Sequence, residues 1–119
     1  MTGSKRPIIS IMADFGSGPY AWIRSSEESA IGPNIADVTW GLQKEYGVSK
    51  ELDEQFAEWV TLFERNYDKD SFDWAAWEER GINLASKLKK ELSNSYSVEY
   101  HYPCEDPTVS HPPPIIIID

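Results

Sequence analysis

The sequence holds one cysteine, Cys104, in 119 residues. No intrachain disulfide can form, and a lone cysteine is too few for a structural zinc site. Long apolar runs are missing as well. No segment approaches the roughly 18 apolar residues needed to span a bilayer. The run that follows Lys5 and Arg6 ends at Asp14, with no small-residue cleavage site after it, so a secretory signal is not expected. Positive charge is scarce: 11 Lys and Arg stand against 20 Asp and Glu, for a net charge of −9 at pH 7 and a pI near 4.6. Binding to nucleic acid or to anionic membrane requires clustered cations, so both are disfavoured. No internal repeat is visible. The expectation is a cytoplasmic protein that needs no cofactor.

Aromatic residues, by contrast, are abundant: five Trp, six Tyr and four Phe in a chain that is 40% hydrophobic. That is enough to build a core, and the length suits one domain over residues 1–119. The pattern puts its core at 7–102 and a Pro-rich tail at 103–119. The acidity is regional. Residues 25–70 carry eleven acids and four bases, residues 71–94 balance at four and four, and residues 95–119 carry four acids with no Lys or Arg.

Residues Pro7 to Ala13 read as an interior strand, with Ile8, Ile9, Ile11 and Met12 placing apolar groups on both faces. Asp14-Phe15-Gly16-Ser17-Gly18-Pro19 ends it in a turn. Tyr20–Arg24 fits either a short strand or a loop anchor. Residues 35–46 show weak helical spacing, closed by Gly47. Ser49 then suits an N-cap, with Glu51, Asp53 and Glu54 in the dipole-favoured first turn. Leu52, Phe56, Trp59, Val60, Phe63 and Tyr67 form one apolar helical stripe. After a turn at Asp68-Lys69-Asp70-Ser71, capped by Ser71 or Asp73, a second helix carries Trp74, Trp77, Gly81, Leu84, Leu88 and Leu92 on its seam. Gly81 on that seam predicts close approach of a neighbour, such as a Trp of the preceding helix. Lys87, Lys89 and Lys90 complement the dipole of its last turns, and Ser93-Asn94 ends it. Tyr96, Val98, Tyr100 and Tyr102 alternate with Ser97, Glu99 and His101, the pattern of a strand with one apolar and one wet face. Five prolines follow, and Ile115–Ile118 calls for burial in a sheet. The resulting fold class is α+β, a two-layer sandwich with a small sheet packed against an antiparallel pair of helices. The first strand and the Tyr96–Tyr102 strand would run parallel if adjacent.

Catalytic signals are thin. Asp14 stands at a strand end before a Gly-rich turn, where ligands bind in open parallel sheets, but a turn Asp more often just accepts turn amides. Gly16–Gly18 would cradle phosphate only by opening a helix. His101, Cys104, Glu105, Asp106 and His111 match no metal-ligand spacing, so no metal is expected, and Cys104 has acidic neighbours that disfavour a thiolate. The adjacent acids are solvated charge by default. Trp22 and Trp40 lie in the acidic segment; folded back they are core, and exposed they would anchor a partner.

Residues 47–102, with the strand ending Met12-Ala13-Asp14-Phe15-Gly16, resemble a family of small uncharacterised bacterial proteins. The likeness runs through Ser49-Lys50-Glu51-Leu52 to Trp59, Phe72-Asp73-Trp74-Ala75-Ala76-Trp77-Glu78, Gly81, Leu84-Ala85, Leu88-Lys89-Lys90-Glu91-Leu92 and Val98-Glu99-Tyr100. In size, acidity and architecture such proteins are similar to cytoplasmic immunity proteins of bacterial toxin systems. The resemblance implies a protein partner and carries over no catalytic residue. The reading is a non-enzymatic binding module that inhibits a toxin, plausibly a basic nuclease domain. Its expected contacts are Glu27, Glu28, Asp37, Trp40, Glu54, Glu58, Asp68 and Asp70. The alternatives are a small ligand-binding or enzymatic domain using Asp14 and the Gly16–Gly18 turn, and a homodimer formed through Ile115–Ile118.

Overall fold

The Ser49 hydroxyl starts the first long helix as expected, accepting a hydrogen bond from the Leu52 amide at 3.2 Å. A computed structural model describes residues 6–92, 94–110 and 112–118. Ser93 and His111, named above as helix end and metal-ligand candidate, lie outside the described residues. The elements run β1 (Ile8–Ile11), β2 (Ala21–Arg24), β3 (Asn34–Ala36), α1 (Gln43–Tyr46), α2 (Lys50–Asn66), α3 (Trp74–Leu92), β4 (Ser97–Tyr100) and β5 (Ile115–Ile117). The fold is α+β, an open mixed sheet in the order β3-β2-β1-β4-β5 with helices packed against it. No helix among the described residues is long and apolar enough to cross a membrane.

β1 pairs antiparallel with β2 and parallel with β4, Ile9 facing Val98 and Ile11 facing Tyr100. Period-two alternation therefore gives the sheet two unlike faces. Ile9, Ile11, Ala21, Val98, Tyr100 and Ile117 enter the core shared with the helices. α2 and α3 are antiparallel, since Ser49 meets Glu91, Trp59 meets Trp77, and Phe63 meets Trp74. Asp73, not Ser71, caps α3, accepting from the Ala76 amide at 3.0 Å.

Trp59 and Trp77 lock the helices together. Their rings stack at 4.4 Å with planes 7° apart. Each indole N–H donates to the other residue's backbone carbonyl, at 3.0 and 2.8 Å. Gly81 makes room: a Cβ there would stand 2.5 Å from the Trp59 ring and 2.7 Å from that of Tyr100. The close neighbour expected at Gly81 is thus Trp59, joined by a tyrosine of β4.

Several expectations need correction. β1 is shorter than Pro7–Ala13. The weakly helical stretch 35–46 divides into β3, an Asp37–Trp40 bridge and the single turn of α1. Tyr67 caps α2 and is exposed, because the helix ends before its ring reaches the core. The expected wet face of β4 is not wet at Glu99, which is fully buried. Its carboxylate accepts from the Ser10 hydroxyl at 2.7 Å and from Arg24 at 3.0 Å, and lies 2.6 Å from His101 Nε2. Burial pushes the Glu99 carboxyl up, but hydrogen bonds from His101 and Ser10 and the charges of His101 and Arg24 outweigh it and hold it below its ordinary value. The Ile run returns to the sheet within the chain. β5 pairs antiparallel with β4, Ile117 reaches the core, and the outer edge of β5 is open.

The segment leading to β5 is fastened to α3 by two carboxyl groups. Glu78 and Asp106 are 5% and 3% exposed. The Tyr100 hydroxyl donates to Glu78 Oε1, while Glu78 Oε2 and Asp106 Oδ2 are buried with no other group to pair with, so that a proton between the two carboxyls is what would satisfy them. Burial first, then the neighbouring Asp106, push the Glu78 carboxyl up to about 9. Asp106 is raised by burial but brought below its ordinary value by the bonds to Glu78 and Thr108. One proton thus serves both, resident on Glu78 at neutral pH. Because the folded value of Glu78 lies above its unfolded value, its stabilising contribution is complete below the unfolded value and is lost as pH rises through about 9. Glu78→Gln keeps a donor and an acceptor without titrating. Urea midpoints of variant and wild type should diverge between pH 5 and pH 9, with the variant relatively more stable at the alkaline end. Parallel midpoints across that range would refute the shared proton.

Candidate partner interface

The acidic middle of the chain wraps one side of α2, and Asp53 holds it there. The sequence pattern puts Asp53 on the solvent side of the helix, yet its carboxylate is occupied three times. It accepts from the Tyr20 hydroxyl, the Leu42 amide and the Gln43 amide, each at 2.9 Å. Burial, and then the Asp53 charge, raise the Tyr20 hydroxyl well above its ordinary value, so it stays a donor. Gly41 permits the approach, since a Cβ there would lie 2.3 Å from Asp53 Oδ2. One side chain on α2 thereby fixes β2, the β3–α1 loop and the start of α1.

That loop carries two of the expected contact residues. Asp37 accepts from the Ser17 hydroxyl at 2.8 Å, the Thr39 amide at 2.9 Å and the Thr39 hydroxyl at 2.8 Å. Burial raises its carboxyl, and these bonds more than reverse the effect, holding it below its ordinary value and ionised at neutral pH. Trp40 closes the turn by backbone bonds to Asp37 and is 46% exposed, so it is not the core residue that folding back would have made it. Trp22 is half-buried and donates its indole N–H to the Met12 carbonyl at 3.1 Å. Asp37, Asp53 and Glu54 line a shallow depression of about 330 Å³ with Lys50, Val38 and Ala57. A second depression shares Thr39, Gly41, Gln43 and Asp53 with it and extends to Trp40.

The remaining expected contacts are dispersed. Glu58 is one turn beyond Glu54 but pairs with Arg80 of α3 in an exposed ion pair. Asp68 and Asp70 stand exposed in the α2–α3 turn. Glu27 and Glu28 belong to the β2–β3 loop and line a cleft of about 360 Å³ floored by Ile8 and Ile116, which point to the sheet face away from the helices. The structure therefore gathers Asp37, Trp40 and Glu54, leaves Asp68 and Asp70 at the far end of α2, and sends Glu27 and Glu28 to another face.

The alternative site at Asp14 has a different geometry from the one it would need. Met12 donates to Tyr20 and Asp14 to Pro19, so residues 12–20 form the turn of an antiparallel hairpin, not a strand-to-helix loop. Gly16 and Gly18 have φ of 109° and 71°, and Gly18 faces Val38 and the Glu64 carboxylate, the wrong charge for phosphate. Asp14 accepts the Phe15 amide at 2.8 Å, the ordinary role of a turn carboxylate. The metal-ligand candidates also separate: His101 is committed to Glu99, Asp106 to Glu78, and Cys104 is exposed. Among the described residues no group of three or more His, Cys, Asp or Glu is placed to hold a metal.

Asp53→Ala should therefore disturb the β3–α1 loop more than its exposed position on the helical pattern implies. Each polar group left unpaired costs about 1–3 kcal/mol. Amide hydrogen exchange at Leu42 and Gln43 should accelerate strongly, with α3 amides much less affected. Uniform acceleration over the whole chain would show global loosening instead.

Residues 7–103 match the family model described as Serratia CdiI immunity protein-like. No curated protein and no solved structure matches the chain. The family match begins ahead of β1 and ends after β4, so it takes in both long helices, the hairpin turn and the acidic loop. Such a family implies a protein partner, a toxin. The chain belongs to the Serratia CdiI immunity protein-like family.

Proposed function

We propose that this chain inhibits a cognate toxin of the contact-dependent inhibition type in the cytoplasm, and that the toxin is a basic domain such as a nuclease. The observation that carries the reading is the pair of carboxylates Asp37 and Glu54 close to the exposed Trp40, with Asp68 and Asp70 exposed in the α2–α3 turn. Carboxylates so placed occupy a site built for phosphates, and a net charge of −9 steers a basic partner toward it. Glu58 adds to that field, and Glu27 and Glu28 extend it to the other face of the sheet. No step of chemistry is required of the inhibitor.

The first test is whether an adjacent reading frame encodes a toxin-like domain, whose absence would count against the reading; where one is found, that domain is the binding partner to use. Glu54→Lys combined with Asp68→Lys and Asp70→Lys should slow association about tenfold at low ionic strength, with the difference shrinking as salt rises. A wild-type association rate indifferent to salt would remove the case for a basic partner.

A second reading concerns assembly. The outer edge of β5 is open, and Ile118 beside it is 80% exposed. A homodimer through Ile115–Ile118 would pair these edges. Sedimentation should then give twice the chain mass, and Ile118→Lys should return the monomer. A monomer at all concentrations for the wild type would dismiss the dimer.

A further inference from the structure

We infer that the toxin's basic face closes on an apolar stripe made by Phe15, Val38, Trp40 and Tyr67, and that this stripe, not the surrounding acid, holds the complex together. The inference rests on the toxin-binding reading and assigns to it three residues outside the contacts expected from sequence. All four side chains are 40–46% exposed. They come from the β1–β2 turn, the β3–α1 loop and the end of α2: Phe15 packs on Tyr67, Val38 covers Gly18 of the same turn, and Trp40 stands two residues beyond Val38. Val38 and Trp40 border the two depressions that share Thr39, Gly41, Gln43 and Asp53. The Val38 amide donates to the Ser17 carbonyl at 3.3 Å, and Val38 lies over Gly18 so closely that a Cβ there would meet its Cγ1 at 2.6 Å. Phe15, three residues before Gly18, packs on Phe63 at 5.0 Å and on Tyr67 at 4.8 Å.

These groups are exposed but not loose. Phe15 is held by two rings, Val38 by its seat on Gly18, and the main chain of Trp40 by the bridge to Asp37. Anchors fixed before binding lose little conformational freedom when a partner arrives. Aromatic groups at the centre with charged groups around them is also the arrangement found at energetic hot spots. Here the surrounding charge is mostly negative: Asp37 and Glu54, with Lys50, border the depression beside Val38, Lys44 lines the one beside Trp40, Glu64 lies next to Gly18, and Asp68 follows Tyr67. The fitting partner surface is therefore apolar and arginine-rich, with guanidinium groups stacking on Trp40, Tyr67 or Phe15 while pairing with the carboxylates. A second copy of this chain would bring the same acids against themselves, so self-association is not what the stripe serves. Steering and holding are then separate tasks, the acids setting the association rate and the stripe the dissociation rate.

The experiment measures both rates for the full chain and a toxin domain found encoded beside it, at three salt concentrations. Trp40→Ala and Phe15→Ser are compared with Leu62→Ser, which changes an exposed apolar residue outside the stripe. The two stripe variants should raise the dissociation rate roughly tenfold or more, the scale of a hot-spot residue, and keep the wild-type salt dependence of association. Leu62→Ser should leave both rates unchanged. Melting curves guard against unfolding; should Phe15→Ser melt early, Trp40→Ala decides, since Trp40 makes no ring contact with the core. If wild type binds and Trp40→Ala dissociates at the wild-type rate, the stripe is not the anchor. If wild type does not bind the toxin at any salt concentration, the toxin-binding reading itself falls.

Discussion

Two stacked indoles set the spacing of the helical layer. Trp59 and Trp77 each donate to the other's main chain, so the contact fixes distance, rotation and register between α2 and α3 at once. A pair of leucines at the same positions would leave the helices free to slide. The arrangement works because Gly81 has no side chain, which lets the Trp59 ring reach Tyr100 of β4 and ties the helical layer to the sheet. Fully burying two such large side chains removes a great deal of apolar area from water, and the aromatic pair adds about 0.5–1.5 kcal/mol beyond area. With α2 fixed, Asp53 and Phe63 are fixed too, and these are the residues against which the acidic loop and Phe15 are placed.

Polar groups do the corresponding work away from the apolar centre. Asp53 draws two segments of the chain onto α2, Glu91 clamps the Ser49 amide and hydroxyl across the helix pair, and Glu99 gathers Ser10, Arg24 and His101 on the helix-free face of the sheet. Each carboxylate ends with its oxygens occupied, which is what makes its burial or half-burial tolerable. The acidity of the chain is accordingly of two kinds. Some carboxylates are internal fasteners, and others, such as Glu54, Asp68 and Asp70, stand in solvent and give the surface its sign.

The long helices were legible because their apolar spacing runs over four or five turns, and capping residues mark their starts. Strands of three or four residues leave no such record. Nothing local distinguishes Asn34–Ala36 as a strand, since its pairing partner Ala21–Arg24 is itself too short to declare a period. Alternation in β4 located the strand correctly and misjudged its polar face, because the partners that make Glu99 burial affordable include Arg24, 75 residues away. The proposed interface was half legible for a similar reason. Charge can be counted along the chain, so Asp37 and Glu54 were visible. The exposure of Phe15, Val38 and Tyr67 depends on where α2 ends and how a hairpin turn lies across it, which only the assembled fold determines.

The position of β1 has a consequence for the order of events during synthesis. Its near neighbour β2 can zip onto it as soon as the hairpin turn has been made. Its other neighbour, β4, pairs Ile9 with Val98, so that side of the strand waits until both long helices and β4 have been made. β5 is later still, since it can add only after β4 is in place. Contacts of such long separation form slowly, and until they form Ile9 and Ile11 have no β4 beside them. The sheet thus closes in two stages: the β1–β2 hairpin and the helix pair can form from neighbouring chain, and the β4 side of β1 is sealed only afterwards.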